Sequence, residues 1–373
     1  MKKTPRIAII GAGMGGLATA AALHRFGIQA QVYEQADRFA RVGAGIQMSP
    51  NAMKALRGLG LEEQVRRTAF QPQTWNNRDW DTGAVRFELP LGQKAEDQFG
   101  APYLQMHRGD LHSALLSAVP KQQISLGRKF LDVQTDAAGP KLSFTDGTTV
   151  EADLIIGADG VHSRARELLL GPEKPTATGR VAYRATFAAS LLSHPIGECT
   201  KWWGEDRHIV IYYVTSAKDE VYFVTSLPDG VWVDESWSAK GDMAVVRDAF
   251  AGFHDEVSDV LRACPQVHRW AILLREPLER WHREGLVLLG DAAHPMTPYM
   301  AQGAAMAIED GITLARALDH APDIEHALSI FQTARKARTA QVQNISQANT
   351  WMREETDPTW CYGFDPWTEP LDI

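Results

Sequence analysis

The feature that most constrains this chain is the glycine cluster Gly11-Ala12-Gly13-Met14-Gly15-Gly16. It follows an apolar run at residues 6–10 and leads into a helical pattern at 17–26, after which 28–34 reads as a second strand. A strand entering a GxGxxG turn that opens a helix brings backbone N–H groups to the positive end of the helix dipole, where a pyrophosphate can approach unobstructed. Glu34 ends the second strand, placed to accept hydrogen bonds from both hydroxyls of an adenosine ribose. An α/β fold with a Rossmann-like, parallel-sheet dinucleotide domain is expected.

The same opening imitates a secretory signal, with Lys2, Lys3 and Arg6 ahead of an uncharged stretch from Ile7 to Leu23. Glycines in phosphate-binding spacing and the strand that follows argue against that reading. No other uncharged run approaches the roughly 20 residues of a membrane span. The net charge of −8 disfavours a nucleic-acid partner. Cys199, Cys264 and Cys361 are odd in number and match neither a CxxC nor a metal spacing, so free thiols in a cytoplasmic, reducing setting and no metal site are expected.

With 373 residues, and about 150 per domain, two domains are anticipated. Residues 1–74, 101–178 and 268–335 are assigned to a discontinuous dinucleotide domain. Residues 75–100 and 179–267, rich in β-branched and aromatic side chains, are assigned to an antiparallel-sheet substrate domain, and 336–373 to a C-terminal helix and tail. Helices are expected at 51–67 and 108–119, and a hairpin around 137–140.

Two later segments bear on which dinucleotide is held. Leu154-Ile155-Ile156-Gly157-Ala158-Asp159-Gly160 is a buried strand running into a turn, and so is Leu286-Val287-Leu288-Leu289-Gly290-Asp291-Ala292-Ala293-His294-Pro295. In this order after GxGxxG, the motifs resemble those of the class A flavin-dependent aromatic hydroxylases, the family of 4-hydroxybenzoate and salicylate hydroxylases, over nearly the whole chain. The resemblance implies FAD, with Gly11, Gly13, Gly15, Gly16, Glu34 and Gln35 at its adenosine diphosphate and Asp291 at the ribityl or pyrophosphate. It implies that Gly303 and Ala304 face the flavin pyrimidine, and that Arg41, Arg108, Phe130 and Asp159 complete the cofactor set. Gln47, in a loop whose Gly43 and Gly45 permit close backbone approach, would reach cofactor or substrate and join the catalytic group. NADH (or NADPH) would serve as a transient co-substrate, and O2 would be used through a flavin hydroperoxide in a monooxygenase reaction.

Such an oxygen is electrophilic, so the substrate ring must be made electron-rich by a group that manages a ring-hydroxyl proton. His208 and Tyr212 are the candidates, because four residues apart on a strand they share a face; a surface histidine and a packing tyrosine are the alternatives. Cys199 and Pro298 are expected at the substrate, although a buried inert thiol is the preferred reading of Cys199. Residues 199–213 and 362–367 most resemble family members acting on a hydroxypyridine carboxylate. That implies decarboxylative 3-hydroxylation of 6-hydroxynicotinate to 2,5-dihydroxypyridine; the alternatives are a salicylate-type benzenoid hydroxylase, or a flavin dehydrogenase or oxidase without oxygen insertion. The same subgroup implies a histidine where this chain has Gln47.

Overall fold

The computed structural model describes residues 5–41, 44–136, 139–229 and 239–372. Its first sheet runs His282–Arg283, Leu286–Leu288, Leu154–Gly157, Ile7–Ile10, Ala30–Tyr33, Ile124–Ser125, all parallel apart from the edge pair His282–Arg283 with Leu286–Leu288. Ile7–Ile10, Leu154–Gly157 and Leu286–Leu288 are buried throughout, which is why they read as unbroken apolar runs. The helix expected from residue 17 begins at once after the turn, as Met14–Arg25. It packs against Gly303–His320, where a Cβ on Gly311 would lie 2.7 Å from the Thr19 nitrogen.

The helix expected over 51–67 is two, Pro50–Gly58 and Glu62–Arg66, because Gly60 turns the chain at φ +79°. Of the expected hairpin, Phe130–Asp136 and Gly139–Phe144 pair with each other, and Thr149–Glu151 adds a third strand. Ala137 and Ala138 lie outside the described residues. Residues 124–125 form an edge strand of the parallel sheet.

The second sheet has seven strands, in the order His268–Leu274, Thr176–Ala188, Glu220–Pro228, His208–Tyr213, Cys199–Trp203, Thr74–Asp79, Val85–Pro90. It is not wholly antiparallel: Thr74–Asp79 runs parallel to Cys199–Trp203, a pairing open to segments with a long connection between them. Membership of His268–Leu274 carries the sheet past the boundary expected at residue 267, and helix Ile324–Ala348 runs unbroken through 336.

The stretch 179–267 also contains two helices, Met243–Ala249 and Asp255–Ala263. Val246, Phe250, Val257 and Val260 cluster with Trp202, Ile209, Ile211 and Phe223 of the sheet. Strand alternation therefore sends the intervening residues, Lys201, His208, Val210, Tyr212 and Val224, to the opposite face. Among the described residues, no helix is long and apolar enough to cross a membrane.

Candidate active site

That opposite face looks into a cavity of about 370 Å³, closed on its other side by the glycine turn and the start of helix Gly303–His320. The glycines of the turn have different tasks. Gly11 sits at φ +100°, and a Cβ there would come 2.5 Å from the Ala158 oxygen; one on Gly16 would come 2.0 Å from the Gly11 oxygen. Gly13 is open, since a Cβ there meets nothing within 4 Å, and with Gly15 it lines the cavity. Met14–Arg25 has no side-chain cap, nor does Gly303–His320, and both N-termini border the cavity with N–H groups left for a ligand.

Glu34 accepts the Ala12 N–H at 2.8 Å on one oxygen and the Ala36 N–H at 2.9 Å on the other, which fixes the turn and leaves lone pairs on both oxygens. Gln35 beside it is exposed. Asp291 and Arg108 line the cavity and attract each other; desolvation pushes the Asp291 carboxyl up and the Arg108 guanidinium down. Gly303, Ala304 and Pro298 are also on the wall. An uncapped helix start beside an open glycine, a carboxylate with spare lone pairs, and a second uncapped helix start fit an adenosine diphosphate joined to a flavin.

The turn bearing Asp291 is held from behind. Asp310 accepts the Gly290 N–H at 2.9 Å, lies 2.5 Å from His294 Nε2 and accepts from Arg335 at 2.7 Å. Burial opposes its ionisation, but His294 and Arg335 prevail and bring the carboxyl down to about 2.

Gly11, Gly16, Glu34 and Gln35 stand back from the cavity wall, and four further expected site residues also lie off it. The Asp159 carboxylate accepts the Ser163 hydroxyl at 2.5 Å and the Ala165 N–H at 3.1 Å, so this loop meets the cavity through Ala158 and Gly160 instead. Arg41 is engaged by Asp110 at 3.0 Å and Glu220 at 3.1 Å. Phe130 packs in the larger hydrophobic core. Cys199 is wholly buried opposite Tyr212, and burial pushes its thiol pKa up, so it is an inert core group and not part of the substrate wall.

The sheet face forms a floor of three rows. Register aligns Trp75, Cys199, Tyr212 and Tyr222 in one, Asn77, Lys201, Val210, Val224 and Arg184 in the next, and Asp79, Trp203, His208 and Ser226 in the third. His208 and Tyr212 share the face, as expected, and both line the cavity with Gln47. His208 is 5% exposed, its ring 5.2 Å from Trp203 and 5.4 Å from Tyr299. Burial, with Lys201 and Arg180 adding to it, holds its pKa well below the usual range, so the imidazole is neutral. Burial holds the Tyr212 hydroxyl well above its usual range.

Gln47 connects two tyrosines. Its Oε1 accepts the Tyr103 hydroxyl at 2.7 Å, and its amide also hydrogen-bonds Tyr212. With the amide oxygen serving Tyr103, the amide N–H donates to the Tyr212 oxygen and frees the Tyr212 O–H for a ligand. The close approach expected of Gly45 is present, since a Cβ there would meet the Tyr222 ring at 2.5 Å and the Tyr212 hydroxyl at 2.8 Å. Gly43 lies outside the described residues.

Sequence reasoning did not single out Lys201, Arg184 or Tyr103. Burial brings the Lys201 amine down to about 7 and the Arg184 guanidinium, 4.6 Å over Trp270, down to about 10. The available signal was a lone cation inside an otherwise uncharged run, in Cys-Thr-Lys-Trp-Trp and in Val-Ala-Tyr-Arg-Ala-Thr-Phe.

Residues 4–349 match the FAD binding domain family. The whole chain is 45% identical to 6-hydroxynicotinate 3-monooxygenase of Bordetella bronchiseptica and 45% identical to that of Pseudomonas fluorescens, covering 98% of each. It is 36% identical to 3-amino-4-hydroxybenzoate 2-monooxygenase of Streptomyces cremeus, over 96% of this chain and 95% of that one. Among solved structures, Klebsiella pneumoniae HpxO complexed with FAD and uric acid matches with a TM-score of 0.81 at 27% identity, over 92% of this chain and 87% of that one. A cavity suited to FAD, facing a floor of hydrogen-bonding side chains, and full-length relatives of one kind agree: the chain belongs to the FAD binding domain family and, within it, to the class A flavin-dependent aromatic hydroxylases, the FAD-dependent monooxygenases of aromatic rings.

Proposed function

We propose that the protein hydroxylates 6-hydroxynicotinate at carbon 3 with loss of the carboxyl group. The balanced reaction takes the carboxylate, O2, NADH (or NADPH) and two protons to 2,5-dihydroxypyridine, CO2, water and the oxidised nucleotide. The observation that carries this reading is the placement of Tyr212 and His208 on one strand, at opposite ends of the apolar Val210. They are about 13 Å apart along the strand, enough for a flat ring between them. The hydroxyl and carboxylate of 6-hydroxynicotinate are para to each other, so they point to opposite ends; those of salicylate are ortho and point to the same end.

Val210 packs under the ring. Tyr212, steered by Gln47, donates its O–H to the ring oxygen and stabilises negative charge there. That charge is delocalised onto the para carbon, which bears the carboxylate and is the atom to be attacked. Neutral His208 offers one hydrogen bond to the substituent at the other end. FAD, once bound there and reduced, would supply an electrophilic oxygen from O2. The ring accepts it at carbon 3, and departure of CO2 returns the bonding pair to the ring. The relatives named for this substrate, 45% identical over the whole chain, support the reading.

The test is nucleotide oxidation by the FAD-loaded protein with 6-hydroxynicotinate or salicylate, with products separated by chromatography. Formation of 2,5-dihydroxypyridine in step with NADH consumed is expected. Turnover of salicylate with no turnover of 6-hydroxynicotinate would overturn the para argument.

A further inference from the structure

We propose that Lys201 is the anchor for the substrate carboxylate, so that the cavity selects aromatic acids through this one ammonium. The inference deepens the reading above and rests on it for the choice of ring.

Lys201 is 2% exposed, and its side chain lines the cavity. Among the described residues it makes no salt bridge and no hydrogen bond; its Nζ lies 3.8 Å from the centroid of the Trp203 ring. A lysine withdrawn from water without an anion is costly, and a ring face offsets only part of that. A bound carboxylate would supply the missing partner.

The rows of the sheet give that carboxylate a direction. Lys201 lies beside Val210 in the ladder, and its ammonium leans over Trp203, the residue paired with His208. The cation therefore stands at the His208 end of Val210, away from the Tyr212 end. A para-substituted ring over Val210, with its ring oxygen on Tyr212, carries its carboxylate toward Lys201. The other cation of the row, Arg184, lies two strands beyond Val210, stacks on Trp270 and stands in the field of Arg108 at the nucleotide end. It belongs to a different part of the cavity.

The experiment titrates the bound flavin's absorbance with 6-hydroxynicotinate and with 2-hydroxypyridine, which lacks the carboxylate. The parent holoenzyme is expected to bind the acid at least tenfold more tightly. In Lys201→Met that preference is expected to vanish through weaker binding of the acid alone, with FAD content unchanged, and Lys201→Arg is expected to regain part of it. Equal weakening of both ligands in Lys201→Met, or no preference in the parent, overturns the anchor. If 6-hydroxynicotinate leaves the parent flavin unperturbed, the reading of the ring fails instead. The anchor is then tested on 4-hydroxybenzoate against phenol, where the same loss of preference supports it and its persistence in Lys201→Met overturns it.

Discussion

The two ends of the cavity are built from different materials. At the nucleotide end, contact is offered by main chain: an open Gly13, the uncapped starts of two helices and a turn whose Gly11 and Gly16 permit no side chain. At the sheet floor, contact is offered by side chains set in rows, with Tyr212, Val210, His208 and Lys201 drawn from two neighbouring strands. Main-chain contact serves any dinucleotide of the right shape, whereas a floor of side chains can be changed one residue at a time. On the proposed function, the first end would hold the cofactor and the second would select the ring presented to it.

The largest expected effect separates two glycines of one motif. Gly16→Val places a side chain against the Gly11 carbonyl and is expected to yield no folded protein, read by circular dichroism. Gly13→Val has room within the protein itself, so it is expected to fold, with an ordinary cooperative thermal transition, and to purify without flavin colour. Normal FAD content in Gly13→Val would refute the main-chain account of that end.

On the floor the effects move from binding of the cofactor to turnover. Tyr212→Phe is expected to keep FAD and lose on the order of 100-fold in kcat, the scale of a group that manages charge at the reacting ring. His208→Ala is expected to fall mainly on KM, by about tenfold, as one hydrogen bond to a charged substituent is lost. A kcat loss in His208→Ala equal to that of Tyr212→Phe would erase the distinction between the two ends of Val210. Tyr103→Phe is the mildest: losing the bond that orients Gln47 costs about 1 kcal/mol, or roughly fivefold in kcat. Unchanged kcat in Tyr103→Phe would show that Gln47 needs no such support.

The same contrast explains what was legible in the sequence. The nucleotide end was, because glycine spacing and Glu34 fall within one short βαβ unit and their geometry is local. The floor was legible only along a strand: the parity of His208 and Tyr212 was readable, but the row joining Lys201 to Val210, Val224 and Arg184 depends on register between strands. Cys199 could be read only as a substrate contact or a buried thiol, and its burial among Tyr103, Tyr212 and Tyr362 depends on parts of the chain far from it in sequence. Asp159 sat in the right loop, but its carboxylate was claimed locally by Ser163 and Ala165. Helices Met243–Ala249 and Asp255–Ala263 were hidden in a β-rich stretch, because Val246, Val257 and Val260 are β-branched while their packing is tertiary.

The most direct test of the central claim, that this floor presents a hydroxylated ring acid for oxygen insertion, is mass spectrometry of the products formed from the FAD-loaded protein, NADH, ¹⁸O2 and 6-hydroxynicotinate, with peroxide measured in the same tube. The account predicts 2,5-dihydroxypyridine carrying one ¹⁸O atom for each NADH consumed, with CO2 released and little peroxide. NADH consumed entirely as peroxide, or a product without label, would contradict it.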